Sequence, residues 1–336
     1  MNSLPKVTIG IPTRNRRTYL MESIASALGQ TYENVEVVIS DNNSSDDTWE
    51  HLSSLKDSRI HAIHQGSDTG MVGNFNAVLN AATGDLFLLL SDDDLLDPTA
   101  IEKLSLPFRM PTQGQDPSTI GMSWCGSINI DAEGRDLWQT RSGPPMESPV
   151  DLLEGLFSGG RGTLFSGTLI RTSDVKSVGG YNNERFGVVC DTANWGQVAL
   201  RYEYIVCVRE PLLRYRVHSS SGTGTAVCQQ WQGWGRAMHD SFLSVLRERG
   251  DQAGVRRLIR LRNNLLAQLT VTVLMRCIGK PGWKRLFARE IWAGRSFMFT
   301  PFVAKRLAKD GWKLLRLKKA GDTGSATGSM DSAPQR

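Results

Sequence analysis

Cysteine is sparse in this chain. The five residues, Cys125, Cys190, Cys207, Cys228 and Cys277, show no paired metal-ligand spacing, and their odd number argues against a disulfide framework. The apolar run Leu265–Met275 is too short and too interrupted to span a bilayer. The N-terminus enters a β-rich segment directly, with no secretory signal, so a cytoplasmic location is expected. No internal repeat is visible. There is no glycine-rich phosphate loop with a lysine near the first strand, and no recognised nucleic-acid-binding motif. These absences point away from a disulfide-stapled domain, a structural zinc module and a nucleic-acid binder. What remains is 336 residues, 40% hydrophobic and 22% charged, enough for a packed core and for two domains or one with extensions.

Among what is present, Ser91-Asp92-Asp93-Asp94 is the most informative stretch. It follows the apolar run Leu86-Phe87-Leu88-Leu89-Leu90, which reads as a buried parallel strand ending in carboxylates. Adjacent Asp side chains repel one another unless a cation relieves them; the plainer alternative is a solvated acidic loop. Upstream, Val7–Ile11 reads as a strand halted by Pro12, and Thr18 is a candidate cap for a helix carrying Leu20, Ile24 and Leu28. Val35–Ser40 is a second strand that ends at Asp41, with a helix expected from about Thr48. Residues 59–63 form a weaker third strand. Gly73-Asn74-Phe75-Asn76 opens a further helix that Gly84 ends. Alternating strands and helices predict a doubly wound, mostly parallel α/β sheet. Right-handed crossovers then bring Arg14, Asp41 and the Asp92–Asp94 cluster to one sheet edge, where such sheets bind ligands.

Ile11-Pro12-Thr13-Arg14-Asn15, then Ser40-Asp41-Asn42-Asn43-Ser44-Ser45-Asp46-Asp47-Thr48, then Gly84-Asp85 running into Ser91-Asp92-Asp93-Asp94 resemble, in order and spacing, a family 2 glycosyltransferase with the GT-A fold, of the bacterial cell-surface polysaccharide type. The resemblance covers about residues 5–220. It implies that Pro12, Thr13, Arg14 and Asp41 hold the nucleotide, that Asp92 meets the ribose, and that Asp93 and Asp94 hold a divalent metal on the donor diphosphate. The family often has an acidic residue where this chain has Ser91, which leaves open which Asp touches the metal; Asp93 is the first choice. Independently of the family, carboxylates bind a diphosphate only through Mg²⁺ or Mn²⁺, which also stabilises the departing nucleoside diphosphate.

The second half supplies the acceptor side. Residues 120–124 and 163–171 read as strands. The stretch 191–200 reads as a helix with Asp191 at its N-terminal end. The family usually begins this helix with a Glu-Asp pair; here it is Cys190-Asp191. Asp191 resembles the general base of inverting members, and its plainer reading is a helix cap. Leu212–His218 is strand-like, and the resemblance lets His218 complete the metal site, against the alternative of a hydrogen-bonded surface histidine. Residues 219–225 read as a mobile loop over the donor. Trp124, Trp138, Trp195, Trp231 and Trp234 are candidates for stacking on sugars, though most tryptophans are core residues.

Charge is asymmetric. Residues 1–254 carry 21 Lys and Arg against 30 Asp and Glu, a net of −9; residues 255–319 carry 17 against 2, a net of +15. That basic part also contains Trp283, Phe287, Trp292, Phe297 and Trp312. Basic, aromatic helices suit the anionic inner face of a membrane; the alternative is a helical cap on the catalytic domain. The expected organisation is a GT-A catalytic domain over 1–225 (nucleotide-sugar half 1–110, acceptor half 111–225), a basic, apolar helical extension over 226–319, and a Gly/Ser/Ala-rich disordered tail over 320–336. The expected activity is transfer of a sugar from a nucleotide-sugar donor to a hydroxyl of a glycan or lipid-linked oligosaccharide, metal-dependent and inverting. A sugar nucleotidyltransferase and a non-catalytic glycan- or membrane-binding protein are the alternatives. The missing phosphate loop speaks against the first and the intact Asp set against the second.

Overall fold

The structure, a computed structural model, describes residues 4–140, 142–158, 166–217 and 228–277, with positions 285 and 288. His218, the residues 219–225 and most of the basic segment lie outside the described residues. The chain divides into two compact units, residues 1–224 with 233–262 and residues 225–232 with 263–336.

In the first unit, strands β1 (Val7–Thr13) and β2 (Val35–Asp41) are rich in Val and Ile and almost wholly buried, as central parallel strands must be. Helix α1 (Arg17–Leu28) joins them, and α2 (Thr48–Ser54) leads to β3 (Ile60–His64). Helix α3 (Gly70–Ala81) then crosses to β4 (Leu86–Leu89), which is followed by β5 (Leu95–Leu96) and α4 (Ala100–Ser105). The acceptor half contributes β6 (Ile120–Ile130), β7 (Asp136–Gln139), β8 (Met146–Glu147), α5 (Pro149–Phe157), β9 (Thr168–Arg171), α6 (Thr172–Ser177), α7 (Asn183–Phe186), α8 (Cys190–Ala199) and β10 (Tyr204–Arg216).

The strands form one sheet in the order β3-β2-β1-β4-β9-β6-β10-β5, with β7 on β6 and β8 on β10. Strands β3, β2, β1 and β4 pair in parallel, β9 runs against both β4 and β6, and β6 is parallel to β10. The carboxyl ends of β1, β2, β4, β6 and β10 therefore share one edge. Alternation along the strands sorts the two faces. Val7, Ile9 and Ile11 of β1 and Leu86, Leu88 and Leu90 around β4 join Leu20 and Ile24 of α1 and Leu104 of α4 in one core. Phe87 and Leu89 point the other way, toward Val175 of α6 and Trp195 of α8.

Helices α9 (Cys228–Glu248) and α10 (Gln252–Cys277) follow. From Gly233 to Arg262 they belong with the sheet. Composition alone places everything after 225 in an extension, whereas packing draws this stretch into the first unit. The reason is an apolar face: Phe242 stacks on Phe157 of α5 with ring centroids 6.5 Å apart, and a Cβ at Gly196 of α8 would lie 2.4 Å from its Cζ. Arg257 of α10 bridges Asp151 and Glu154 of α5. In the second unit Gln232 Nε2 donates to Thr270 Oγ1 at 3.1 Å. No helix among the described residues is long and apolar enough to cross a membrane. Three local expectations shift. Arg16, not Thr18, precedes α1, and it makes no side-chain cap. Gly73 lies inside α3, which begins at Gly70. Strand β10 starts eight residues before Leu212, at Tyr204.

Candidate active site

The edge that gathers the strand ends is built from three loops. After β1, Asn15 adopts φ 54°, a left-handed conformation that Asn tolerates. That turn lets its N–H donate to Ser44 Oγ at 2.9 Å and its Oδ1 accept from Ser45 N at 2.7 Å. The first loop is thereby fastened to the loop after β2. Asp41, fully buried at the end of β2, accepts from the Ser44 hydroxyl and lies 2.9 Å from His64 Nδ1 at the end of β3; the His64 ring lies against Trp49. Pro12 and Thr13 pair in register with Ser40 and Asp41. Arg14 leaves this edge outward and pairs with Asp68 at 2.7 Å, both side chains well exposed. Asp68 in turn accepts from Asn42 at 2.7 Å, so Arg14 stands on the Asp41 side of the site.

The third loop holds the acidic triplet. Thr13 Oγ1 donates to Asp92 Oδ2 at 2.8 Å and so links the first loop to the third. Ser91 Oγ donates to Asp93 Oδ1 at 2.5 Å. Arg16 Nη1 sits 3.0 Å from Asp92 Oδ1 and 2.9 Å from Asp93 Oδ2. Asp94 faces inward: it accepts from Ser166 Oγ at 2.6 Å and from the Arg216 backbone N–H at 2.9 Å. All three Asp residues are buried. Desolvation, reinforced by Asp93, pushes the Asp92 carboxyl up to about 6 despite Arg16, and desolvation with the charge of Asp93 raises Asp94 further. Burial disfavours the Arg16 charge, but Asp92 and Asp93 more than offset it and hold the guanidinium above its ordinary range.

Arg216 closes the back of this loop. Its side chain is 1% exposed. Nε donates to Asp93 O at 2.9 Å, Nη1 to Ala132 O at 2.8 Å in the β6–β7 turn, and Nη2 to Glu22 Oε2 at 2.6 Å on α1. The guanidinium lies 4.6 Å over the Tyr19 ring. One arginine thus fixes α1, the acidic loop and the β6–β7 hairpin to the end of β10.

Asp191 lies on the opposite side of β4. It lines a cavity of about 20 Å³, room for roughly one water, with Leu89, Thr168, Tyr181, Asn194 and Trp195. Leu89 precedes Ser91 by two residues, so the acid cluster and Asp191 flank the end of the same strand. Desolvation pushes the Asp191 carboxyl up to about 6, against the Thr192 N–H and hydroxyl, which favour its ionised form. A carboxylate with that value is ionised at neutral pH yet basic enough to accept a proton. Cys190 is buried, and burial together with Asp191 raises its thiol, so it is no nucleophile. Upstream, Gly187 has φ +48°, and a Cβ there would lie 2.1 Å from Trp234 Cε2 of α9; only glycine lets this helix seat against the turn that presents Asp191. Trp124 is core, and Trp195 lines the cavity beside Asp191.

Of the residues expected from sequence, Thr13, Asp41, Asp92, Asp93 and Asp94 gather at one edge, Arg14 stands at its rim, and Asp191 flanks it. His218 lies outside the described residues. Sequence reasoning passed over Arg16 and Arg216. Among the described residues no three His, Cys, Asp or Glu side chains gather as a ligand cage. A divalent cation held by one or two carboxylates and completed by substrate phosphates needs no such cage. The two oxygens of Asp92 and Asp93 that converge on a single nitrogen fit that kind of site.

A ten-stranded, mostly parallel sheet with an acidic loop at the end of its fourth strand defines the GT-A class of glycosyltransferase fold. Residues 8–118 match the sequence profile described as Glycosyl transferase family 2. It is 38% identical over 95 residues to UDP-Glc:alpha-D-GlcNAc-diphosphoundecaprenol beta-1,3-glucosyltransferase WfaP of Escherichia coli, covering 28% of this chain and 38% of that one. It is 36% identical over 104 residues to GalNAc(5)-diNAcBac-PP-undecaprenol beta-1,3-glucosyltransferase of Campylobacter jejuni, covering 30% and 34%. The chain thus spans little more than a third of these relatives. Residues 1–349 of S. aureus TarS, solved with UDP, share the fold at a TM-score of 0.59 and 14% identity, over 91% of this chain and 92% of that one.

Proposed function

We propose that this protein transfers a hexosyl or deoxyhexosyl residue from a nucleoside diphosphate sugar to a hydroxyl of a polyprenyl-diphosphate-linked glycan, with inversion at the anomeric carbon. The observation that carries the reading is the pairing of two acidic sites across the end of β4. Asp92 and Asp93 converge on one cationic point, and Asp191, raised to about 6, stands on the other flank. The two curated relatives, both named as glucosyltransferases acting on undecaprenyl diphosphate glycans, supply the acceptor class.

Thr13, Asp41 and Asp92 would hold the nucleoside, with Pro12 shaping the loop and Arg14 at the rim. Asp93, with Asp92 beside it and with His218 as the resemblance implies, would hold Mg²⁺ or Mn²⁺, which would neutralise the diphosphate and stabilise its departure. Asp94, expected at the metal, is turned instead to Ser166 and the Arg216 N–H and shapes the loop. Asp191 accepts the acceptor hydroxyl proton as its oxygen bonds to the anomeric carbon and the bond to the diphosphate oxygen breaks. The basic residues of 255–319 would bring the enzyme to the anionic inner face of the membrane, where such acceptors reside. The absence of a phosphate loop leaves a nucleotidyltransferase unsupported.

The test is transfer from a panel of nucleotide sugars to a synthetic polyprenyl diphosphate disaccharide, with and without Mn²⁺, and NMR of the product. A product of inverted configuration is expected. No turnover with any donor, or a retained configuration, would sink the reading.

A further inference from the structure

Arg16 is a cation that its sequence context does not single out and that the fold places on the acidic carboxylates. It immediately precedes α1, with φ −142° and ψ 36°, so its backbone stands outside the helix while its side chain folds back over the third loop. A single nitrogen, Nη1, spans two carboxylates, at 3.0 Å from Asp92 Oδ1 and 2.9 Å from Asp93 Oδ2. The guanidinium is 24% exposed, against 6% and 9% for its partners. The other oxygens of the pair are held by Thr13 and Ser91. Asp94 is turned away to Ser166 and Arg216. The two oxygens that face outward are therefore those on Arg16.

We propose that Arg16 is a resident counter-ion of the donor site. It offsets one of the two negative charges of Asp92 and Asp93 until a divalent cation arrives with the nucleoside diphosphate, and it then gives up these carboxylates and turns to the diphosphate. This rests on the metal-dependent reading above. Two considerations favour exchange over a permanent pair. A pair of buried carboxylates on one guanidinium keeps a net negative charge, which a doubly charged ion cancels more fully. The guanidinium also fits phosphate oxygens in two-pronged geometry, so it has a second partner when the donor is present. Leaving the carboxylates does not undo the first turn of α1, to which Arg16 contributes its carbonyl rather than its side chain. The arrangement ties metal uptake to the nucleotide, whose diphosphate offers the displaced guanidinium a two-pronged partner.

The experiment measures Mn²⁺ binding to full-length protein by electron paramagnetic resonance, with and without UDP, in the parent, Arg16→Gln and Arg16→Lys. The parent should bind Mn²⁺ far more tightly with UDP than without. Arg16→Gln should bind Mn²⁺ alone about tenfold more tightly than the parent, the worth of one charge-assisted hydrogen-bond set. Its thermal midpoint should fall without metal and recover on adding Mn²⁺. Arg16→Lys keeps one positive charge and a smaller perturbation, and it should show a smaller gain in the same direction; it decides the matter if the glutamine variant fails to fold. Unchanged or weaker Mn²⁺ binding in the folded variants, with UDP-dependent uptake intact in the parent, overturns the exchange alone. No Mn²⁺ uptake by the parent even with UDP overturns the metal-dependent reading as well.

Discussion

Replacing Asp191 by Asn should separate catalysis from stability. Burial raises the Asp191 carboxyl from 3.8 to about 6. A folded-state value above the unfolded one means the folded protein binds the proton more tightly, so the ionised carboxylate destabilises the fold at neutral pH. The full penalty for a shift of that size is about 3 kcal/mol. Part of the side chain meets solvent, so a gain of about 1–3 kcal/mol is expected for Asp191→Asn at pH 7, or roughly 2–4 °C per kcal/mol in melting temperature. The sign is pH-specific. As pH falls from 6 to 4 the parent takes up its proton in the folded state first and grows more stable relative to the variant, so the difference should vanish near pH 4. Activity should move the opposite way. Asp191→Asn should lose about 10²–10⁴ in rate, the usual contribution of a general base. The parent's rate should fall as pH drops through about 6. Thermal melts at pH 4 and 7 and initial rates across pH 5–8 read both quantities. A variant less stable than the parent at pH 7, or one that keeps more than a tenth of its rate, would refute the reasoning.

Asp93→Ala should abolish transfer and weaken donor binding in the presence of Mn²⁺, and EDTA should do the same to the parent; full activity in EDTA takes the metal out of the mechanism. Arg216→Gln removes a buried cation that ties Asp93 O, Ala132 O and Glu22 together. Glu22 is 46% exposed and stays solvated, so the loss falls mainly on the two carbonyls left without their donor and should be about 1–3 kcal/mol, readable in a urea melt. Gly187→Ala places a methyl in the Trp234 ring at a left-handed φ, and should cost at least about 2 kcal/mol together with catalytic rate; an unchanged melt would show that α9 does not brace the Asp191 turn. Full-length protein should sediment with anionic liposomes and be only partly released by high salt, since each Lys or Arg near the surface adds about 1 kcal/mol and apolar insertion is insensitive to salt.

Much of the site was legible because its signals are local. Strands β1, β2 and β4 are short runs of Val, Ile and Leu, each followed at once by the polar residues that line the edge, so strand and loop are read from the same few positions. Parallel topology then carries Thr13, Asp41 and Asp92–Asp94 together without knowledge of any contact. Asp191 was legible as the first acid of a helix, but its raised carboxyl was not. That shift depends on Leu89, Tyr181 and Trp195 closing around it from three separate elements. The contacts of helix α9 are not readable from composition for a related reason: they depend on an apolar face that meets Phe157 and Gly196, which lie far away in sequence.

The arginines show where local reading ends. Arg14, Arg16 and Arg17 are chemically equivalent in the sequence, and only the family resemblance singles out Arg14. The start of α1 sends the three side chains to different places. Arg14 projects to Asp68 at the rim, Arg17 to Asp47, and only Arg16 lies where the chain enters the helix and can fold back on the acidic loop. Arg216 reaches the same loop from a strand 194 positions beyond its Glu22 partner, and nothing near it in sequence announces that. The two cations divide the work by burial. Arg216, 1% exposed, holds Asp93 by its backbone carbonyl and leaves the carboxylate available to other partners. Arg16 holds the carboxylates themselves from a more exposed position. A loop anchored through its backbone can keep its shape while its side chains change partners, and a donor site that must accept and release a charged nucleotide in every cycle requires that separation.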